Sequence, residues 1–159
     1  MRTALLALAL LVAVPAQAQI SFSPLVGYDL QLEGPSIGLA FELATPLNGV
    51  PLQPAIRPLV EYVFVDSPDG VTFNFVRAQA DLIARFETSP GASFLPYAKA
   101  GAGIEYFGVS GDGGFGGQAS NTEFAINIGG GAEFTRFFVE GGLGLTGAEG
   151  LRIRAGYRF

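Results

Sequence analysis

The sequence predicts an all-β protein, an eight-stranded antiparallel up-and-down β-barrel that crosses a membrane with an apolar exterior and a polar lumen. Three observations predict it. The 159 residues are 49% hydrophobic and 14% charged, with a mean hydropathy of +0.39, whereas soluble domains are about 25% charged. No apolar run reaches the roughly 20 residues a membrane helix requires. From Ile20 onward the dominant period is two rather than 3.6, the pattern of half-buried strands.

The N-terminus is set apart from that pattern. Met1-Arg2-Thr3 gives a positive start, Ala4 to Val14 a short apolar core, Pro15 a break, and Ala16-Gln17-Ala18 a small-residue cleavage site. These are the parts of a secretory signal peptide, so residues 1–18 are read as one, with Gln19 starting the mature chain. The mature chain, residues 19–159, reads as a single barrel domain. It keeps eight basic and 14 acidic residues, a formal charge of −6. That balance argues against nucleic-acid binding, which needs a basic face. The absence of Cys excludes disulfides and a lipid attachment site at the cleavage point.

Each strand is read from its alternation. Segment 20–32 sets Phe22, Val26, Tyr28, Leu30 and Leu32 against Ser21, Ser23, Gly27, Asp29 and Gln31; segment 37–44 sets Ile37, Leu39, Phe41 and Leu43 against Gly38 and Glu42. Segment 56–65 sets Ile56, Val60, Tyr62 and Phe64 against Arg57 and Glu61. Segment 71–86 sets Val76, Ala78, Ala80, Leu82, Ala84 and Phe86 against Arg77, Gln79, Asp81 and Arg85. Segment 94–107 sets Ala98, Ala100, Ala102, Ile104 and Tyr106 against Tyr97, Lys99, Gly101, Gly103 and Glu105. Segment 123–134 sets Phe124, Ile126, Ile128 and Phe134 against Glu123, Asn127, Gly129, Gly131 and Glu133. Phe137, Val139, Leu143 and Leu145 then oppose Phe138, Glu140, Gly142, Gly144 and Thr146. Last, Leu151, Ile153, Ala155, Tyr157 and Phe159 oppose Arg152, Arg154, Gly156 and Arg158. The breaks carry turn chemistry at Glu33-Gly34-Pro35-Ser36, Pro46-Leu47-Asn48-Gly49, Ser67-Pro68-Asp69-Gly70, Ser89-Pro90-Gly91, Thr135-Arg136 and Gly147-Ala148-Glu149-Gly150. The longest break, 108–121, is Gly-rich.

Charge decides which face is inside. Arg57, Arg77, Arg85, Lys99, Arg152, Arg154 and Arg158 fall on the polar faces, as do Asp29, Glu42, Glu61, Asp81, Glu105, Glu123 and Glu140. Near-equal sets of opposite charge, separated by glycines, suit an interior that neutralises itself. A solvated outer face would be rich in Lys, and this chain has one. An apolar outer band around a polar lumen is the transmembrane β-barrel arrangement.

The C-terminal strand, ending Tyr157-Arg158-Phe159, carries a family likeness. So do the Gly-punctuated strands Tyr97–Tyr106 and Ile126–Phe134. With the signal peptide and eight alternating segments, the chain resembles the small outer-membrane β-barrels of the OmpA transmembrane-domain, OmpX and OmpW type. The resemblance implies several things. The barrel resides in the cell outer membrane as a monomer against outer-membrane lipid. The C-terminal signal, Tyr157 and Phe159 with Ile153 and Leu151 before them, is read by the barrel-assembly machinery. Both termini are periplasmic, so connections 33–36, 66–70, 108–121 and 146–150 face outward, and 45–55, 87–93 and 135–136 face the periplasm. The outward rim then holds Glu33, Asp66, Asp69, Asp112 and Glu149 without a basic residue. Three of the four outer connections are shorter than is usual in the family, which weakens an adhesin reading. With the chain stopping at Phe159, the peptidoglycan-binding domain of longer members is not expected.

Chemistry is constrained by what is missing. Without His or Cys the usual nucleophile–base pairs and Zn or Cu sites cannot be assembled, so neither catalysis nor a cofactor is expected. Asp81 and Glu105 lie among arginines and read as ion-pair members. The Gly-rich stretch 111–117 lacks the Lys-Ser/Thr ending of a phosphate loop, and Asp112 alone is a weak Ca²⁺ ligand set.

What remains is the lumen. Asp29, Glu42, Glu61, Arg77, Asp81, Arg85, Lys99, Glu105, Glu140, Arg152 and Arg154 are expected to interlock. The function expected is an envelope-structural role, or a narrow ion path through spaces over Gly101, Gly103, Gly129, Gly142 and Gly144. A second reading starts from an apparent slip of the alternation near Phe75. Without a bulge, Val63, Val65, Phe73, Phe75 and Phe107 line an apolar outer mouth for a small hydrophobic ligand. With a bulge, their rings join the outer girdle and the mouth disappears.

Overall fold

The computed structural model describes residues 19–44, 52–67, 71–86, 88, 93–111 and 119–159. The expected signal peptide, the turns at 46–49, 68–70 and 89–91, and the Gly-rich core of the longest connection, with Asp69 and Asp112, lie outside these residues. Eight strands follow one another: β1 (Gln19–Asp29), β2 (Gly34–Ala44), β3 (Leu52–Val63), β4 (Val71–Phe86), β5 (Leu95–Gly111), β6 (Ala119–Phe134), β7 (Phe137–Gly144) and β8 (Gly150–Tyr157). Every neighbour pair is antiparallel, and β1 pairs with β8 to close an up-and-down barrel. Closure leaves no sheet edge around the wall, the condition for a sheet to stand in lipid.

Period-two sequence becomes two surfaces. Outward positions on every strand are uncharged, and many of the large apolar side chains there are well exposed, among them Ile20, Val26, Leu82, Phe124 and Phe137. Inward positions carry the charges. Burying charge inside while exposing Leu, Ile and Phe is untenable in water and favourable in hydrocarbon. Aromatic rings ring the end where the chain termini lie: Phe22 with Phe41 (5.9 Å) and Phe159 (5.7 Å), Tyr157 with Phe137 (4.9 Å) and Phe159 (4.7 Å), and Phe94 with Phe134 (6.1 Å). At the opposite, loop end Tyr62 meets Phe64 edge-on at 4.9 Å.

Several boundaries differ from the alternation, some for a clear local reason. β1 stops at Asp29, because its carboxylate accepts the N–H groups of Gln31 (3.1 Å) and Leu32 (3.0 Å) and closes a turn. Leu30 and Leu32 therefore leave the strand, and Glu33 takes the left-handed conformation (φ 51°). Gly34, Pro35 and Ser36, read as turn, instead open β2. β5 and β6 run on beyond their expected ends to Gly111 and from Ala119, a hairpin extending past the β6–β7 ladder, which ends at Asn127↔Gly144. The β2–β3 ladder skips between Ala40↔Leu59 and Leu43↔Ile56, where Pro58 has no N–H to contribute.

Candidate functional site: the charged lumen and its mouth

All eleven residues singled out for the lumen are buried, and all take part in ion pairs. They form three connected groups. Nearest the loop end, Arg77 is the hub: its Nε donates to Glu105 Oε1 (2.6 Å), Nη1 to Glu61 Oε2 (2.7 Å) and Nη2 to Asp29 Oδ2 (3.1 Å). Arg154 donates to both Glu61 oxygens, at 3.0 and 2.7 Å, and Arg152 reaches Glu105 (3.0 Å) and Asp29 (3.3 Å). Ser36 Oγ donates to the same Glu61 at 2.8 Å.

Deeper, Glu140 gathers Lys99 (2.6 Å), Arg154 (3.3 Å), the Tyr97 hydroxyl (2.8 Å) and Arg57. Asp81 lies beside Lys99 (3.2 Å) and Arg57 (3.5 Å) and accepts from Gln79 (2.8 Å). Nearest the terminal end, Arg85 bridges Glu42 (2.6 Å) and Glu133 (2.9 Å), and Arg158 reaches the same two carboxylates. Seven cations (Arg57, Arg77, Arg85, Lys99, Arg152, Arg154, Arg158) thus meet seven carboxylates (Asp29, Glu42, Glu61, Asp81, Glu105, Glu133, Glu140), and the set is neutral. Six of the seven cations are arginines, whose planar fork serves several carboxylates at once.

An apolar layer interrupts the charge. Leu25, Ala40, Ala55, Leu59, Ile83, Tyr97 and Phe138 pack into one buried cluster, and the Arg57 guanidinium lies 5.1 Å from the Phe138 ring centre and 5.9 Å from that of Tyr97. On β4, Ile83 sits between Asp81 and Arg85. On β8, Gly156 sits between Arg154 and Arg158. The two strands without a side chain in the layer give glycine there. A Cβ on Gly156 would strike the Phe138 ring, and one on Gly131 would meet the Tyr97 hydroxyl at 2.8 Å.

The same relation holds along the lumen. The space over Gly101 is taken by Asp81 and Asn127 and over Gly144 by Arg152 (2.8 Å), the spaces over Gly103 and Gly129 are closed by the β4 and β7 backbones, and Gly142 has room for a Cβ, with Lys99 at 3.7 Å. Of the five glycines read as spaces for a narrow ion path, four meet neighbouring side chains or backbone and Gly142 keeps room.

At the mouth, the β4 register runs unbroken against both neighbours, from Val63↔Phe75 to Leu52↔Phe86 and from Val71↔Gly111 to Arg85↔Tyr97. No bulge interrupts it at Phe75. Val63 and Phe75 are accordingly buried, Val65, Phe73 and Phe107 half-buried, and Phe73 stacks on Phe107 at 5.7 Å. The Arg77 guanidinium lies 5.1 Å from the Phe75 ring centre. A cavity of about 200 Å³ opens here, lined by Phe75, Glu105, Phe107, Asn121, Glu123, Gly147 and Ala148.

Two small barrels of known structure share this architecture. Ail, the attachment invasion locus protein of Yersinia pestis, superposes with a TM-score of 0.57 at 14% identity over 89% of this chain and 97% of its own. The N-terminal β-barrel domain of Pseudomonas aeruginosa OprF gives 0.51 at 19% identity, over 90% of this chain and all of its own. The fold is that of the small outer-membrane β-barrels. The outer membrane enzyme PagL is similar at a TM-score of 0.48 and 17% identity, over 87% of this chain and 96% of its own. No protein-family model and no curated protein sequence matches the chain.

Within this outer-membrane barrel fold, the sequence reasoning counted one rim carboxylate with the interior charges and left Glu133, Arg57 and Arg158 out of the interlocking set. Glu123, expected in the lumen, is exposed and accepts from Asn121 (2.7 Å). It has inward parity, but it stands on β6 above the last β6–β7 pair, so no wall encloses it. Glu133 takes the inward role at the other end of the same strand. Arg57 was legible as inward-facing from parity, yet its place over two rings was not. Tyr157 and Phe159 lie on the outer girdle, with the Phe159 N–H donating to Phe22 O at 2.9 Å. Among the described residues no group of three His, Cys, Asp or Glu side chains could hold a metal ion.

Proposed function

We propose that the protein is an integral, non-catalytic barrel of the cell outer membrane whose lumen is closed by its own side chains, with a role in the structure of the envelope. The observation carrying this reading is the pairing of all seven lumen cations with seven carboxylates, with Asp81 and Arg152 filling the spaces over Gly101 and Gly144. The uncharged outer face and the aromatic girdles support residence in lipid, and the barrel is read as a monomer there. Export by a signal peptide over residues 1–18, and recognition of Tyr157 and Phe159 by the barrel-assembly machinery, complete the reading. Short β1–β2 and β7–β8 connections favour a structural over an adhesive role. Planar-bilayer recording of the refolded protein tests it: a closed lumen gives no steady conductance, and open-channel conductance in the unmodified protein rejects it.

A second reading is favoured by the unbroken β4 register, which supports an apolar outer mouth at Val63, Val65, Phe73, Phe75 and Phe107. That mouth suits one end of a small hydrophobic ligand. A fluorescent fatty-acid probe binding the refolded barrel, and losing affinity in Phe107→Ser, is the outcome this reading requires. An unbound probe rejects it.

A further inference from the structure

The salt-bridge network is the conspicuous filling of the lumen, but each of its members is a charged group with which a passing ion can exchange partners. The apolar layer has no such alternative. Its side chains come from six of the eight strands, with Leu25, Leu59, Ile83, Tyr97 and Phe138 as the bulk and Ala40 and Ala55 between them. Each of these seven residues is at most 5% exposed. On the two remaining strands Gly131 and Gly156 let the Tyr97 and Phe138 rings approach the wall to contact distance, so the layer spans the lumen from wall to wall. Charged groups lie on either side of it, Arg85 with Glu42 toward the terminal end and Lys99, Asp81 and Glu140 toward the loop end, and one charge enters it: Arg57, between Ala55 and Leu59 on β3, lays its guanidinium against the Phe138 and Tyr97 rings. A cation in this layer would exchange its hydration for little more than the Tyr97 hydroxyl, which already donates to Glu140, and would meet the fixed charge of Arg57; a constriction of this kind opposes the passage of ions.

We propose that this apolar septum, rather than the charge network, is the barrier to conduction, and that the lumen is a cup open only toward the loop end. The inference rests on the closed-lumen reading and deepens it. A molecule accepted at the apolar mouth would be held there and would not pass through.

Conductance of the refolded protein in planar bilayers separates the possibilities, with a heat-modifiability gel verifying that each variant is folded. Phe138→Ala, and Ile83→Ala should Phe138→Ala fail to fold, is expected to raise conductance at least tenfold over the unmodified barrel. The paired charge variant Arg152→Met with Glu105→Gln, in the loop-end group away from the layer, is expected to stay silent. Tyr97→Phe, which keeps the ring and loses the hydroxyl, is expected to stay silent too. If the folded septum variants are silent, or if the charge variant conducts while they do not, the septum is overturned and the closed-lumen reading stands. If the unmodified barrel itself conducts freely, the closed-lumen reading falls and the septum with it.

Discussion

Arg77 and Glu105 stand directly opposite each other on β4 and β5, and Arg77 Nε donates to Glu105 Oε1 at 2.6 Å while the rest of the guanidinium reaches Glu61 and Asp29. One cation therefore joins residues of β1, β3, β4 and β5. Removing it leaves three buried carboxylates short of a partner. Arg77→Ala is expected to destabilise the barrel by about 3–5 kcal/mol, since breaking a buried pair strands its counter-charge. Arg158→Ala, at the terminal mouth with a side chain 24% exposed, is expected to cost about 1 kcal/mol or less, in the range of solvated pairs. Urea unfolding of both variants in lipid vesicles checks the contrast, and equal losses would contradict it.

The contact between Gly156 and Phe138 gives a compensation test. The nearest neighbours of a Cβ at 156 are the Phe138 ring and Leu25, all side-chain atoms. Gly156→Ala is expected to destabilise by about 1–3 kcal/mol through overpacking. Adding Phe138→Leu should recover most of that loss. A double variant no more stable than Gly156→Ala would show that the ring is not the obstacle.

Lipid exposure is tested on β6. Ile128 points outward, paired with Ala100 and Leu143. Ile128→Arg is expected to reduce stability in bilayers by about 2–4 kcal/mol, the value for a cation near the midplane of an outer barrel face. A loss no larger than that of Ile128→Gln would place this position outside the hydrocarbon.

The chain contains no Cys, so a single introduced thiol reports its own side of the membrane. Asp66 lies at the loop end and Arg136 in the β6–β7 turn at the terminal end, both exposed. In intact cells a membrane-impermeant maleimide is expected to label Asp66→Cys and spare Arg136→Cys. The reverse pattern would invert the orientation.

Phe159 packs on Phe22 and Tyr157 at the outer girdle and adds little to the lumen. Deleting it is expected to lower the amount of assembled barrel in cells several-fold, while the refolded protein changes little in urea midpoint. Equal loss in both measurements would make Phe159 a packing residue rather than an assembly signal.

The wall of this barrel was legible because parity is a one-dimensional property. A strand such as Leu151 to Tyr157 states by itself which residues face in. The partners within the lumen were not legible, since they depend on the stagger between strands. Nothing local to Arg154 indicates that it meets Glu61, 93 positions away. Glu123 and Glu133 show the limit most clearly. They share one strand and one parity, yet only the height at which β7 begins to enclose β6 separates a rim carboxylate from a lumen one. The surroundings of Gly101 and Gly144 were illegible for a related reason: a missing side chain in sequence suggests empty space, whereas these two are vacated for Asp81 and Arg152 on adjoining strands.

That give-and-take between a glycine and the large residue beside it bears on how such a barrel drifts over time. The interior constrains combined sizes and charges across neighbouring strands more tightly than the identity of any one residue. A swap that moves bulk or charge to the adjacent strand leaves the sum intact. Barrels can then keep one architecture while few individual letters persist. The trace of common construction in such sequences would lie in correlated exchanges between adjacent strands, at pairs such as 97 with 131 and 138 with 156.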